Sequence, residues 1–220
     1  MSQLQFAVAD DKCIRCDACV KDCPVHIIQR SDSLPNIAGT SEGQCIRCQH
    51  CLAVCPTGAI SICGLKPENS LPITSGSFPS YEQMKVYVRG RRSVRQFKHE
   101  NVPVAVIENL LADIAHAPTG CNDCDLTFSV VDDRKDIERL REQVVSAVEK
   151  ETSLDDTDFL RQAATVYRRD GTDHFFRGAP HLLIVSPGSR AHSGREDAVL
   201  ALAYFELLAR TAGVGTTWCG

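Results

Sequence analysis

The apolar positions beyond residue 100 recur at helical spacing in some segments and alternate in others. Residues 104–114 carry apolar side chains three and four positions apart, and residues 137–148 do the same after Asp133, a candidate N-cap. Residues 126–130 alternate in the manner of a strand, and residues 181–185 form a short apolar run typical of a buried strand. The pattern therefore predicts helix, strand, helix and strand in that order.

Two further features delimit this region of the chain. Residues 198–212 have the pattern of a long apolar helix that ends at Gly213, a candidate for the residue after a helix terminus. Residues 64–80 contain three prolines, two glycines and four serines, which is a composition typical of a linker. Helices that alternate with short strands predict a mixed α/β or α+β domain. We expect a domain over residues 1–63, a linker over 64–80 and a second domain over 81–220.

The first domain contains an internal repeat. The run CIRCDAC at residues 13–19 recurs as CIRCQHC at residues 45–51, and the Cys-Pro pairs at 23–24 and 55–56 keep the same offset. A short apolar stretch follows each copy. The repeat predicts two similar halves, each with a cysteine loop, a helical turn and a short strand.

Composition narrows the choice of chemistry. The chain has 220 residues, a formal net charge of −4 and twelve cysteines, most of them in the first quarter. The acidic balance argues against a nucleic-acid partner, and no apolar run is long enough for a membrane span. The N-terminus lacks the pattern of a secretory signal, so we expect a cytoplasmic protein whose clustered thiols are metal ligands rather than disulfides.

Each repeat reads C-x₂-C-x₂-C-x₃-C-P. Thiolates are the usual ligands of iron–sulfur clusters; three cysteines two residues apart can surround one cubane, while the cysteine before proline ligates the other cluster. We expect two [4Fe–4S] clusters with these ligand sets: Cys13, Cys16, Cys19 and Cys55 for one, and Cys45, Cys48, Cys51 and Cys23 for the other. A zinc site or redox-active thiols are the alternatives, although zinc usually takes separated pairs. The pattern resembles bacterial two-cluster ferredoxins over about residues 4–63, which implies low-potential electron transfer.

Four short segments of the second domain are candidate binding elements. Residues 91–97, RRSVRQF, could hold a phosphate through arginine forks and a serine hydroxyl, although a solvated basic turn would have the same composition. The other three are residues 117–122 (APTGCN), 178–180 (GAP) and 213–218 (GVGTTW). Each of these three, taken alone, is typical of a turn.

The order and spacing of the four segments resemble the nitroreductase family of flavoproteins over about residues 81–220. In that family FMN binds at a dimer interface, so the resemblance implies FMN and a homodimer. It implies phosphate or ribityl contacts at Arg91, Arg92, Ser93 and Arg95, a contact near the flavin ring at Asn122, and backbone near the flavin at Gly213, Gly215 and Thr216. The expected fold class is α+β, with a ferredoxin-type two-cluster domain followed by an α/β nitroreductase-like domain.

The chain departs from the family pattern at two places. Members often have Gln-Pro-Trp after the asparagine, whereas residues 123–126 read DCDL here, which leaves the shape and polarity of the substrate side open. The family pattern also continues where this sequence stops, so we expect a flavin domain cut short at Gly220, as in a truncated form or a fragment. Cys121 and Cys124 could form a redox dithiol or half of a metal site; small buried residues are the alternative.

The combined features predict an oxidoreductase that passes electrons from the clusters to FMN and reduces an organic acceptor such as a nitro compound or a quinone. The expected electron donor is reduced ferredoxin, NAD(P)H or a partner enzyme. No residue is identified as a catalytic acid or base. Two alternatives stay open: a ferredoxin-type electron carrier without flavin catalysis, and a redox sensor.

Overall fold

The computed structural model describes residues 4–30 and 33–219 and divides into two compact units, Met1–Ser80 and Tyr81–Gly220. The first unit contains strands β1 (Ala7–Val8), β2 (Ile28–Gln29), β3 (Asn36–Ile37) and β4 (Ile60–Ser61) and helices α1 (Ala18–Asp22) and α2 (His50–Ala53). β1 pairs antiparallel with β4, and β2 pairs antiparallel with β3. The predicted helical turn and short strand after each cysteine loop are confirmed as α1 with β2 and α2 with β4.

The core of the first unit mixes aliphatic residues with cysteines. Ile27, Ile28, Leu52, Ile60 and Ile62 are buried together with Cys19, Cys23 and Cys51. Few aliphatic residues are available in so short a segment, and small domains of this size usually need metals or disulfides in addition to their core. The fold of this unit therefore depends on the cysteines as well as on apolar burial.

The second unit contains five helices and two strands among its described residues. The helices are α3 (Tyr81–Arg89), α4 (Val104–Ile114), α5 (Arg134–Lys150), α6 (Phe159–Asp170) and α7 (Gly194–Thr211), and the strands are β5 (Leu126–Val131) and β6 (Leu182–Pro187). β5 and β6 pair antiparallel with Phe128 opposite Val185. α7 packs against both strands and α4, while α5 packs against α6.

Helix ends in the second unit follow local chemistry. Asp133 accepts the N–H of Lys135 and so caps α5, as the sequence predicts. Asp158 caps α6 in the same way, and Gly171 ends that helix with φ +77°. After α7, Gly213 has φ +74°, which confirms its predicted place beyond the helix terminus.

The structure corrects three sequence expectations. α7 begins at Gly194, four residues before the predicted start, because its first turn carries charged residues that hide the apolar periodicity. β6 is half-buried rather than buried, with Ile184 exposed. The pattern also missed two helices, α6 and α3, and the nine residues of α3 include none that is buried. Among the described helices, none combines the length and apolarity that crossing a bilayer requires.

Candidate functional site

Two cavities in the first unit are each lined by four cysteines. One lies among Cys13, Cys16, Cys19 and Cys55. The other lies among Cys23, Cys45, Cys48 and Cys51. In both cavities three cysteines come from one repeat and the fourth from the other. This is the crossed arrangement that the spacing predicts, and its all-thiol donor set fits a four-iron cubane.

The same cavities do not have the form of mononuclear metal sites. Within residues 4–30 and 33–219, no three His, Cys, Asp or Glu side chains are close enough to bind a single metal ion. A zinc ion needs its ligands about 2.0–2.3 Å away on all sides, whereas a cubane keeps its four thiolates apart on separate irons. The four cysteines around each cavity therefore suit the ligand set of a cubane.

The two cysteine loops repeat a strained backbone. Arg15 and Asp17 in the first loop have φ of +56° and +60°, and Arg47 and Gln49, at the equivalent positions of the second loop, have +54° and +60°. Non-glycine residues rarely adopt this left-handed region, so its recurrence indicates a requirement of the loop. One consequence is that amide donors face sulfur: the Arg47 N–H lies 3.4 Å from Cys45 Sγ.

Burial makes these thiols costly to ionise. It raises the pKa of the Cys51 thiol to about 12, and it also raises the pKa values of Cys19 and Cys45. At Cys55, burial alone would raise the pKa, but hydrogen bonds from the backbone N–H groups of Ala59, Thr57 and Ile60 and from the Thr57 hydroxyl together outweigh it and lower the pKa. Thiolates in such surroundings need nearby cationic metal to hold them deprotonated.

In the second unit, two of the predicted flavin segments lie side by side. The Val94 N–H donates to the Thr216 carbonyl oxygen over 2.9 Å. A Cβ at Gly215 would lie 2.8 Å from Val94, so glycine permits this close approach. Val94 thus lies directly against Gly215 and Thr216.

Arg91 and Arg92, the first two arginines of residues 91–97, have hydrogen-bond partners within the chain. Arg91 Nη1 donates to Glu206 Oε1 over 2.8 Å, and Trp218 Nε1 donates to the other carboxylate oxygen over 3.1 Å. Arg92 Nη1 donates to the carbonyl oxygens of Arg89 and Arg91, where it caps the C-terminal end of α3. Ser93 is half-buried, and Arg95 is exposed.

Asn122 lies elsewhere in the unit. Its loop is held by Asp197, a buried residue in the first turn of α7, which accepts the Gly120 N–H over 2.9 Å. Residues 213–216 follow the opposite end of the same helix. Since a helix rises about 1.5 Å per residue, Asp197 and Gly213 are separated by about 24 Å along the axis. Within one chain, Val94 therefore adjoins residues 215–216, whereas the loop of Asn122 lies at the other end of α7.

Comparisons with known proteins match two separate regions of the chain to family models. Residues 88–220 match the model of the Nitroreductase family, and residues 12–60 match a 4Fe-4S dicluster domain. The chain belongs to the nitroreductase family. Since both cofactor-bearing regions match family models, the chain combines a nitroreductase domain with an iron–sulfur domain in an α+β fold.

Solved structures of other nitroreductases resemble the second unit. One is a nitroreductase with bound FMN from Bacteroides fragilis NCTC 9343: 25% identity, 62% of this chain and 69% of that chain covered, TM-score 0.53. Another is a nitroreductase with bound FMN from Desulfitobacterium hafniense DCB-2: 19% identity, 64% and 71% covered, TM-score 0.51. A comparison with curated proteins returned no match.

The residues that replace the usual Gln-Pro-Trp of a nitroreductase anchor a neighbouring loop. Asp125 accepts both the backbone N–H and the guanidinium of Arg190 over 2.9 Å. Asp123 accepts the backbone N–H of His192 over 3.0 Å and lies 2.7 Å from its Nδ1. The His192 N–H is the main reason that the pKa of Asp123 is lowered, and the Arg190 side chain lowers that of Asp125. This departure from the family therefore fixes the loop between β6 and α7.

Three acidic residues that matter to this nitroreductase domain are missing from the sequence prediction. They are Asp173, Asp197 and Glu206, and each is buried or nearly so with partners far away in the chain. The Cys121–Cys124 pair, which the sequence left open, is exposed, and neither thiol is part of a three-residue metal site among the described residues.

Proposed function

We propose that this protein is an iron–sulfur flavoprotein oxidoreductase that passes electrons from two [4Fe–4S] clusters to FMN for reduction of a small organic acceptor, such as a nitro compound or a quinone. The observation that carries the proposal is the pair of four-cysteine cavities with crossed membership in a chain of the nitroreductase family. When bound, the clusters supply single electrons and FMN supplies one- or two-electron chemistry.

In this proposal residues 1–63 form the cluster domain, residues 64–80 the linker and residues 81–220 the flavin domain. The ligands of one cluster are Cys13, Cys16, Cys19 and Cys55, and those of the other are Cys23, Cys45, Cys48 and Cys51. The division of the structure into compact units after Ser80 supports the boundary between linker and flavin domain.

FMN binds in this proposal along the surface formed by residues 91–95 and 213–216. Arg91 and Arg95 neutralise the phosphate, Ser93 adds a hydroxyl hydrogen bond, and the backbone from Gly213 to Thr216 borders the flavin. Arginine suits this role because its planar guanidinium pairs with phosphate oxygens through charge-assisted hydrogen bonds. FMN is the flavin found in the Bacteroides fragilis relative, which supports this choice.

A second copy of the chain completes the site in this proposal. Asn122 and residues 213–216 lie at opposite ends of α7, so a two-fold axis through the middle of that helix would bring one copy's Asn122 loop to the other copy's flavin segment. The exposed apolar residues Val199, Leu200 and Tyr204 lie near the middle of α7 and suit such an interface.

Flavin and iron content of anaerobically purified protein tests the proposal. Two four-iron clusters predict about eight irons per chain, together with about one FMN. Iron without flavin would favour the electron-carrier alternative. Full cofactor content with no turnover of nitroaromatic or quinone acceptors would favour the redox sensor. Reduced ferredoxin and NAD(P)H, supplied separately, would identify which donor the protein accepts.

The phosphate contacts have their own test. Arg91→Ala combined with Arg95→Ala removes charge-assisted hydrogen bonds worth about 1.5–3 kcal/mol each, so FMN affinity should fall by at least about a hundredfold in a fluorescence titration. Unchanged affinity would mean that the phosphate binds elsewhere.

A further inference from the structure

Glu206 is a buried carboxylate on α7 that the proposed electron transfer does not itself require. The residue is 9% exposed, and it shares the buried face of α7 with Ala201, Ala209 and one other carboxylate, Asp197. A buried charge is costly unless it is paired and hydrogen-bonded. Both oxygens of Glu206 meet that condition, since one accepts from Arg91 and the other from Trp218.

These two contacts join the elements that border the proposed flavin site. Arg91 lies just beyond the end of α3, and Trp218 follows the glycine-rich segment after α7. The hydrogen bond between Val94 and Thr216 connects the same two backbone segments a few residues away. Glu206 therefore contacts a side chain from each of these two segments: Arg91, 115 positions away in sequence, and Trp218, 12 positions away.

The pair leaves the arginine able to bind a ligand. A guanidinium has five N–H donors, and Glu206 accepts from Nη1. The Arg91 side chain remains 40% exposed, while that of Glu206 is 11% exposed. One edge of the Arg91 guanidinium is thus hydrogen-bonded to Glu206, and the rest of the guanidinium remains accessible to a ligand.

We propose that Glu206 is a positioning residue that orients Arg91 toward the flavin phosphate and so makes the site selective for FMN over riboflavin. The inference rests on the proposed flavin function. An arginine already held in one orientation loses less conformational freedom when it binds phosphate, so its hydrogen bonds contribute more to affinity. Riboflavin lacks the phosphate, and its affinity is independent of this arrangement.

The test compares FMN and riboflavin binding to the full-length chain, with intact clusters and flavin removed, by flavin fluorescence titration under anaerobic conditions. Glu206→Leu should raise the Kd for FMN about tenfold and change the Kd for riboflavin by less than about twofold. Glu206→Gln, which keeps the size and one acceptor oxygen, should raise the Kd for FMN by a smaller factor. Glu149→Gln is the matched control, because it removes an equivalent charge from a half-exposed ion pair with Arg168.

A double-mutant cycle provides a readout that general destabilisation would not mimic, and the protein's one tryptophan reports whether the Glu206 contact is lost. Once Arg91→Ala is present, adding Glu206→Leu should not weaken FMN binding further, because the two residues act together. The emission of Trp218, the chain's one tryptophan, should shift in flavin-free Glu206→Leu because the indole loses its carboxylate partner.

The results of this test distinguish a failure of the proposed function from a failure of the inference about Glu206. Wild-type protein that binds neither flavin overturns the proposed function and this inference together. Wild-type protein that prefers FMN, with Glu206→Leu binding FMN equally well or more tightly, overturns only the inference, since Glu206 would then be neutral or a competitor of the phosphate. Parallel weakening of FMN and riboflavin binding would also overturn it, because that result indicates a general structural role.

Discussion

Replacement of Asp173 by alanine should destabilise the second unit more than removal of an ordinary surface carboxylate. Asp173 Oδ1 accepts the N–H groups of Phe175 and Phe176, and Oδ2 accepts that of Gly178, all over 2.9 Å. Arg141 Nε lies 2.8 Å from Oδ2, although its N–H is not aligned with that oxygen. One side chain therefore shapes the turn that leads into β6.

The expected loss in the free energy of unfolding follows from these contacts. The side chains of Asp173 and Arg141 are 8% and 12% exposed, so removal of the carboxylate leaves a cation with little access to water. Breaking a buried ion pair in this way costs about 3–5 kcal/mol, and the three lost hydrogen bonds to backbone contribute about 0.5–1.5 kcal/mol each. Because the contacts share one carboxylate, these effects overlap, and we expect a loss of about 4 kcal/mol. That is a large part of a typical domain's stability of about 5–15 kcal/mol.

Urea unfolding of the full-length chain, followed by Trp218 fluorescence, measures this loss. The probe reports on the second unit, since the chain's single tryptophan lies there. Asp173→Asn keeps the acceptor on one side and should lose less than Asp173→Ala. Asp155→Ala is the control: its carboxylate accepts from the backbone and hydroxyl of Thr157 in an exposed loop, so its removal should lower the free energy of unfolding much less than that of Asp173. Equal losses for Asp173→Ala and Asp155→Ala would refute the reasoning.

Three further predictions concern the clusters, a turn and an acidic contact. Cys16→Ser should lower the iron content from about eight to about four per chain, measured by iron analysis, because each cluster needs its full ligand set. Gly58→Ala should lower the stability of the first unit by about 1–2 kcal/mol in thermal unfolding followed by cluster absorbance, since φ is +61° and the added Cβ would lie 3.3 Å from Pro67. Asp123→Asn should make stability depend less on pH in the acidic range. The His192 N–H lowers the pKa of Asp123 below its ordinary value of 3.8. The stabilisation by the Asp123 carboxylate is therefore complete above pH 3.8 and is lost as the pH falls through the lowered pKa. Urea midpoints between about pH 3 and pH 7 should therefore fall less in this variant than in the wild type.

Each of these predictions has a matched control. Cys219→Ser removes a thiol outside both cavities and should keep all the iron. Gly39→Ala adds a Cβ with no atom within 4 Å and should leave the unfolding temperature unchanged. Loss of iron in the first control, or equal effects of the two glycine substitutions, would contradict the structural argument. For the acid series, identical pH profiles of Asp123→Asn and wild type would mean that the His192 contact does not stabilise the loop.

The sequence determined the features that depend on local spacing. The eight cysteines that line the two cavities lie within two short runs, and their crossed grouping follows from the position of each Cys-Pro. α4, β5 and α5 were predictable because their apolar periodicity and, for α5, the Asp133 cap lie within the element itself. α6 was within reach of the same reasoning, since Asp158 and Gly171 mark its two ends.

Other features required the tertiary structure, because they join residues that are distant along the chain. Glu206 meets Arg91 across 115 positions, and Asp197 meets Gly120 across 77. Nothing in the local pattern distinguishes these carboxylates from solvated charges on a helix, since burial and partner are properties of the folded chain. The family resemblance grouped Asn122 with residues 213–216, whereas α7 separates them by its own length. A helix is rigid and its length is set by its residue count, so this separation is a consequence of the fold that residue types and spacing alone did not reveal.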